Sequence, residues 1–296
     1  MPATRTARLV AAGHALLAAC VLASCASGHS SPDSTSVRSG DSKRSPPWPD
    51  SIRLSAHDSI RVPVLVYHSV ARHHAGQTGE QRELDVDTAV FREQMNHLVR
   101  DGHPVVSLSA LVDALEGRRA LPGGAVVITF DDGWQDQFDD AFPILKQHGF
   151  TATFFIYTKG IGSGPGFMSW DEVRELQRGG MTIGAHSRTH PVLTRRSVSL
   201  TDEIIGSRED IERNVGAAPD LFAYPYGAWD QHVADAVRAA GFRAARGMGD
   251  GPLNTPSNVF AIRSVLATDD MQAFELALAG RDPDVTPRAA ARTHSR

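Results

Sequence analysis

Ala125-Val126-Val127-Ile128-Thr129-Phe130-Asp131-Asp132-Gly133 decides how the rest of the chain is organised. Val126 to Phe130 is a β-branched and aromatic run, suited to a strand buried on both faces in an α/β protein. It ends on two adjacent acids. Two carboxylates at the end of a buried strand repel each other and lose hydration, a conflict that a divalent cation or a shared proton relieves. Gly133 tolerates backbone angles that other residues resist, so the chain can turn away and leave both acids facing one site. Asp-Asp-Gly is also ordinary surface-turn chemistry, so the flanking sequence has to decide between the two.

Upstream, Val62 to Tyr67 reads as a first strand ending in His68-Ser69. Asp87 caps a helix whose Phe91, Met95, Leu98 and Val99 share one face, and Gly102 stops it. Val105-Val106 makes a short strand, and Leu108, Leu111, Val112 and Leu115 another amphipathic helix. Downstream, Phe138, Phe142 and Leu145 mark a helix ending at Gly149, and Thr151 to Tyr157 is the next strand. Ser169 caps a helix over Trp170 to Gln177, Met181 to Ala185 is a strand closed by His186, and Ile204, Ile205, Ile211 and Val215 line a further helix. Leu221 to Tyr224, Val233 to Ala240, Phe242 to Ala245, Val259 to Ile262 and Met271 to Leu278 continue the alternation. Strand then helix, repeated about seven times, favours a parallel α/β barrel over an open sheet, although periodicity does not separate the two.

With 296 residues, 41% of them hydrophobic, the chain can bury one large core, and a net charge of -4 gives no basic excess for nucleic acid. Arg5 and Arg8 precede an apolar run from Leu9 to Val21 that is too short to span a bilayer comfortably. Leu22-Ala23-Ser24-Cys25 then resembles a bacterial lipobox, so residues 1–25 are expected to be a lipoprotein signal peptide with Cys25 lipidated; simple secretion is the alternative. Cys20 lies inside that signal, which leaves no disulfide for the fold. Residues 26–60 have the serine- and proline-rich composition of a disordered tether, 61–281 form one catalytic domain, and 282–296 a disordered tail.

The polar residues stand where chemistry would need them. Asp131, Asp132, His186, His68 and the Tyr224-Pro225-Tyr226-Gly227 turn all follow predicted strands directly, and the carboxyl ends of strands form the active face of a parallel barrel. His186-Ser187-Arg188-Thr189-His190 sets two imidazoles at i and i+4, which a helical turn or a tight loop can aim at one ion. A carboxylate from the central strand makes this a two-histidine, one-acid site with positions left open for water and substrate, the pattern of a catalytic zinc, although other divalent first-row ions suit the same donors. His73 and His74, on a polar loop, read as solvated.

Thr129-Phe130-Asp131-Asp132-Gly133, then His186 to His190, then Tyr224 to Gly227 resemble, in that order, the motifs of the polysaccharide deacetylase family, the NodB-homology domain or carbohydrate esterase family 4. The likeness runs from about Val62 to Gly280, and the early Tyr67-His68 is similar to the branch acting on poly-N-acetylglucosamine exopolysaccharides. It implies an α/β fold, an irregular (β/α)7-type barrel, and metal-assisted removal of N-acetyl groups from glucosamine polymers. Asp132, His186 and His190 would then hold a divalent metal, zinc first and cobalt, nickel or iron as substitutes. Asp131 would be the base, and the backbone N–H of Tyr226 would hold the oxyanion. Two features depart from the common pattern. Ala223 stands where an arginine often opens the third motif, with Arg263 one candidate to replace it, and the late leucine-x-histidine motif is missing. His232 lies in a helix and His294 in the tail, so the general acid falls to His68, whose strand neighbours the last one when a barrel closes. The expectation is a lipid-anchored monomer outside the cytoplasm acting on a polysaccharide. The alternatives are an O-acetyl esterase and a glycan-binding lipoprotein without turnover.

Overall fold

The computed structural model describes residues 59–73, 84–249 and 251–280. The signal segment with Cys25, the serine-rich stretch to residue 58, His74 and residues 281–296 lie outside the described residues.

The described strands are β1 (Ile60–Arg61), β2 (Val64–Tyr67), β3 (Ser69–Val70), β4 (Asp85–Val86), β5 (Val127–Asp132), β6 (Thr153–Ile156), β7 (Thr182–Ala185), β8 (Leu221–Ala223), β9 (Ala244–Arg246), β10 (Leu253–Asn254) and β11 (Val265–Leu266). Seven of them form one parallel sheet in the order β11-β2-β5-β6-β7-β8-β9, curled into a half-barrel. The last of these strands lies beside the first, Val265 opposite Leu65. β5 sits third in the sheet and is buried at every position, which is why its sequence shows no polar alternation.

The helices are α1 (Thr88–Arg100), α2 (Leu108–Leu115), α3 (Phe142–His148), α4 (Trp170–Arg178), α5 (Gly206–Val215), α6 (Gln231–Ala239) and α7 (Met271–Leu278). Alternate strand residues divide the core in two. Val64, Val127, Phe155, Leu221 and Ala244 share a cluster with Leu108, Leu111, Val112 and Leu115 of α2 on the inner side of the sheet. Their neighbours Leu65, Ile128, Phe154, Phe222 and Ala245 belong to the larger cluster with the other helices. By the same alternation Asp131 and Arg246 continue the inner face, where curling brings β5 and β9 toward each other.

Three local expectations change. Val99 is 55% exposed, because one residue beyond the buried Leu98 the helix has turned by about 100°. Val105 makes only an isolated bridge to Val126. Val259 to Ile262 is not a strand. It follows a 3-10 turn at Pro256–Asn258, where Asn258 caps the backbone of Thr255, and the strand that completes the sheet is the shorter Val265–Leu266. Ile60 is buried in the antiparallel β1–β10 pair, opposite Asn254.

Candidate active site

β2 pairs in register with β5, Tyr67 opposite Phe130, so the next residue on each strand, His68 and Asp131, emerge side by side. His68 Nε2 is 3.9 Å from Asp131 Oδ2. Direct pairing of these two strands, more than closure of the barrel, brings the histidine to the acid. Gln137, fully buried, secures the pair by donating its amide hydrogens to the backbone carbonyls of His68 (2.7 Å) and Asp131.

The guanidinium that meets Asp131 belongs to Arg246, not Arg263. Arg246 ends β9, is 1% exposed, and donates from one terminal nitrogen to both oxygens of the Asp131 carboxylate, 2.6 Å to Oδ1. Its other terminal nitrogen reaches Ser264 Oγ at 3.3 Å, while Phe155 lies beneath the guanidinium. Arg263 instead donates its backbone N–H to Asn254. Burial pushes the Asp131 pKa up, but neighbouring positive charge, that of Arg246 foremost, outweighs it and holds the carboxyl below its ordinary range.

Asp132 leaves the strand with φ of 77°, followed by Gly133 at 88°. A Cβ at Gly133 would lie 2.7 Å from Ile161 Cδ1, so that turn needs glycine for space as well as for its angle. Asp132 Oδ2 accepts the indole N–H of Trp134 at 2.9 Å, and Oδ1 faces the imidazoles, 3.4 Å from His190 Nε2 and 3.8 Å from His186 Nε2. His186 and His190 sit on a tight loop, with positive φ at Ser187 and His190, and not on a helical turn. Glu203, buried, accepts from the backbone N–H groups of Arg188 (2.9 Å) and Thr189 (2.8 Å) and so holds that loop.

The donor set suits a cation. His186 Nδ1 lies 2.8 Å from the carbonyl oxygen of Ala223, so it carries the proton and leaves the Nε2 lone pair facing the site. The two Nε2 atoms are 3.1 Å apart. Burial, the largest cause, lowers the His190 pKa to about 4, so its ring is neutral and able to donate a lone pair at neutral pH. One atom each from Asp132, His186 and His190 lie within 4.8 Å of one another, a grouping that can hold a metal ion.

Tyr226 has φ of 60° in the Pro225–Gly227 turn, and its side chain is 67% exposed with the ring 4.6 Å from that of His190. A Cβ on Gly227 would lie 2.6 Å from Met248 Cγ, so the turn packs directly against that side chain. A cavity of about 250 Å³ is lined by His68, Asp131, Asp132, His186, His190 and Tyr226, with Arg246, Met248 and the apolar Leu84 and Leu266 also in its wall. Every sequence-predicted residue of the fold's site meets in this one cavity. Cys25 lies outside the described residues. Sequence reasoning missed Arg246, Trp134, Gln137 and Glu203. Only Arg246 carried a signal, since it stands at a strand end like the others.

Fold and site together describe a hydrolase built on a curled parallel α/β barrel, with an acid pair and two histidines at the carboxyl ends of its strands. Residues 118–245 match the family model described as polysaccharide deacetylase, a stretch that runs from before β5 through both histidines into β9 and supports a deacetylase-class hydrolase. YxkH of Bacillus subtilis (strain 168) is 22% identical over 219 residues, 74% of this chain and 75% of that protein. The poly-beta-1,6-N-acetyl-D-glucosamine N-deacetylase of Escherichia coli (strain K12) is 27% identical over 195 residues, 51% of this chain, and the match spans 29% of that enzyme. The Streptococcus pyogenes deacetylase PplD, solved in complex with acetate, shares the fold with a TM-score of 0.68 at 22% identity, over 76% of this chain and 100% of that one.

Proposed function

We propose that this protein removes N-acetyl groups from an N-acetylglucosamine-containing polysaccharide, a poly-N-acetylglucosamine exopolysaccharide or cell-wall glycan, outside the cytoplasmic membrane. The observation that carries the proposal is an ionised Asp131, braced by Arg246, beside both His68 and a donor set suited to a cation. Asp132, His186 and His190 would hold the divalent ion, with zinc as the first expectation for two imidazoles and a carboxylate. A bound ion of this kind polarises a carbonyl and makes water a better nucleophile near neutral pH.

The remaining work falls to the chain itself. Asp131, kept anionic by Arg246, accepts a proton from the attacking water. The Tyr226 N–H donates to the acetyl oxygen as negative charge grows there. An amine is a poor leaving group unless protonated, and His68, 3.9 Å from the Asp131 carboxylate, delivers that proton as the C–N bond breaks. Acetate and a free amine result. An ester would need this acid much less, so His68 favours the amide reading over O-acetyl removal, and the ionised base argues against a mere glycan binder.

The E. coli relative's name supports the polymer class. The lipobox at Cys25 supports lipid anchoring, and among the described residues no helix is long and apolar enough to cross a membrane. Partially acetylated glucosamine oligomers and an acetylated xylan, assayed side by side with and without chelator, test the proposal. Chelator-sensitive release of acetate from the amide substrate is expected. Release from the ester alone, or full amide activity in metal-free protein, would overturn it.

A further inference from the structure

We infer, on the footing of the metal centre proposed above, that Trp134 is a positioning residue that makes Asp132 a one-oxygen ligand, and that Phe167 holds the indole for that task. A carboxylate can offer a cation one oxygen or both. Here the two oxygens of Asp132 are divided between partners. Oδ1 faces His186 and His190, whereas Oδ2 accepts the Trp134 indole N–H at 2.9 Å. An indole nitrogen is a donor only, so this contact cannot reverse its polarity, and it engages Oδ2 while leaving Oδ1 as the oxygen that faces the imidazoles.

The indole is itself fixed. It stacks on Phe167 with ring centroids 4.4 Å apart and planes 21° apart. The backbones of Trp134 and Phe167 form an isolated antiparallel bridge, the Gln135 N–H donates to the Gly166 carbonyl (2.9 Å) and the Met168 N–H to that of Gly133 (3.1 Å). The glycine-rich segment between β6 and α4 therefore folds back over the start of the turn that follows β5. Phe167 also meets Tyr157 edge-on at 5.3 Å, and Tyr157 lies 5.4 Å from the His190 ring. One aromatic row thus runs from the partner of the acid ligand to one of the imidazole ligands. Asp132 needs such a hold, because its left-handed backbone takes the side chain out of the strand's regular course.

Hydrogen bonds to metal-ligating groups typically change metal affinity by about 10- to 100-fold. Full-chain protein stripped of metal is titrated with Zn²⁺ against a chromophoric chelator. Trp134→Phe keeps an aromatic ring on Phe167 but removes the N–H, and is expected to weaken Zn²⁺ binding by about 10- to 100-fold, with the circular dichroism and thermal midpoint of the metal-free protein unchanged. Phe167→Leu keeps the N–H but loosens the indole, and is expected to show a smaller loss in the same direction. It carries the test alone if Trp134→Phe does not fold. Asp132→Ala and His186→Ala serve as references that should abolish binding. Wild-type affinity in the Trp134 and Phe167 variants, with binding lost in the references, overturns the role of Trp134 and leaves the metal centre standing. Wild-type affinity in all four overturns the metal centre itself.

Discussion

Replacing Arg246 with Met tests whether the charge on Asp131 is what the fold was built to hold. The guanidinium is buried and lies against both carboxylate oxygens, so its removal leaves a buried acid with its strongest stabilising charge gone. Unit charges about 4 Å apart attract by about 4 kcal/mol at an effective dielectric of about 20, equivalent to roughly 3 pKa units at about 1.36 kcal/mol per unit. His68 and a bound cation remain, so the rise should fall within the range of about 1–3 units seen for a neighbouring opposite charge. The sign follows from the depressed native value. Asp131 is ionised above its pKa and is lost as a base when pH falls through it, so a raised pKa moves the acid limb of kcat/KM upward. Activity should then fail first at mildly acidic pH and recover toward alkaline pH. The stability that the ionised acid contributes above its unfolded pKa near 3.8 should shrink over the same window. The assay is kcat/KM on an N-acetylglucosamine oligomer across pH at constant ionic strength and metal content. Arg246→Lys, which keeps a charge without the planar fork, should fall between wild type and Arg246→Met. A folded Arg246→Met enzyme whose acid limb coincides with wild type would refute the reasoning.

Asp131→Asn should retain metal and lose about 10²–10⁴-fold in turnover, the range for a general base; normal turnover at normal metal content would mean that the two aspartates have exchanged roles. His68→Ala should depress deacetylation of N-acetylglucosamine oligomers far more than hydrolysis of an activated acetate ester, with metal content unchanged. Equal losses on both substrates would assign His68 to positioning, and no loss on either would remove it from the reaction. Cys25→Ser should leave the membrane fraction while its soluble form stays fully active, and continued membrane retention would point away from a lipid anchor.

What was legible in the sequence was whatever local pattern specifies. Val127 to Asp132 announced itself because a strand buried on both faces must be apolar throughout, and the acids at its end stood out against that run. The histidine pair was visible from spacing, although its loop geometry was not. Arg246 was hidden in plain view. Ala244-Ala245 is a weak strand signal, and the partner of the arginine after it lies 115 residues away across the curl of the sheet. Glu203 and Gln137 were less visible still, since each looks like an ordinary polar helix residue and acts on backbone groups contributed by another motif. The strand at Val265–Leu266 is short and only half-buried, whereas Val259 to Ile262 has the stronger apolar run yet is drawn into a turn by Asn258.

The braces and the strain coincide in a way that no single motif shows. The non-glycine residues with positive φ among those described are Asp132, Ser187, His190 and Tyr226, and all four belong to the cavity or to the loop that carries the imidazoles. Such angles cost about 1–3 kcal/mol each and persist only where the surroundings over-determine them. Each has its restraint: Trp134 on the Asp132 carboxylate, the Ser187 hydroxyl accepting the His190 N–H at 3.0 Å, Glu203 across the loop between them, and Met248 packed against the turn that bears Tyr226. Two of the bracing side chains come from single π-helical turns, Gln137 at the start of Gln137–Ala141 and Glu203 within Thr201–Ile205. A π turn places one extra residue in a helix at the expense of regular hydrogen bonding, and is found often at functional sites. Both here lead directly into a regular helix, α3 or α5, so the irregularity is confined to the end that faces the site. Stability has thus been given up at the positions that aim Asp132, the two histidines and the Tyr226 turn, and the regular elements behind them supply the rigidity that keeps those positions strained.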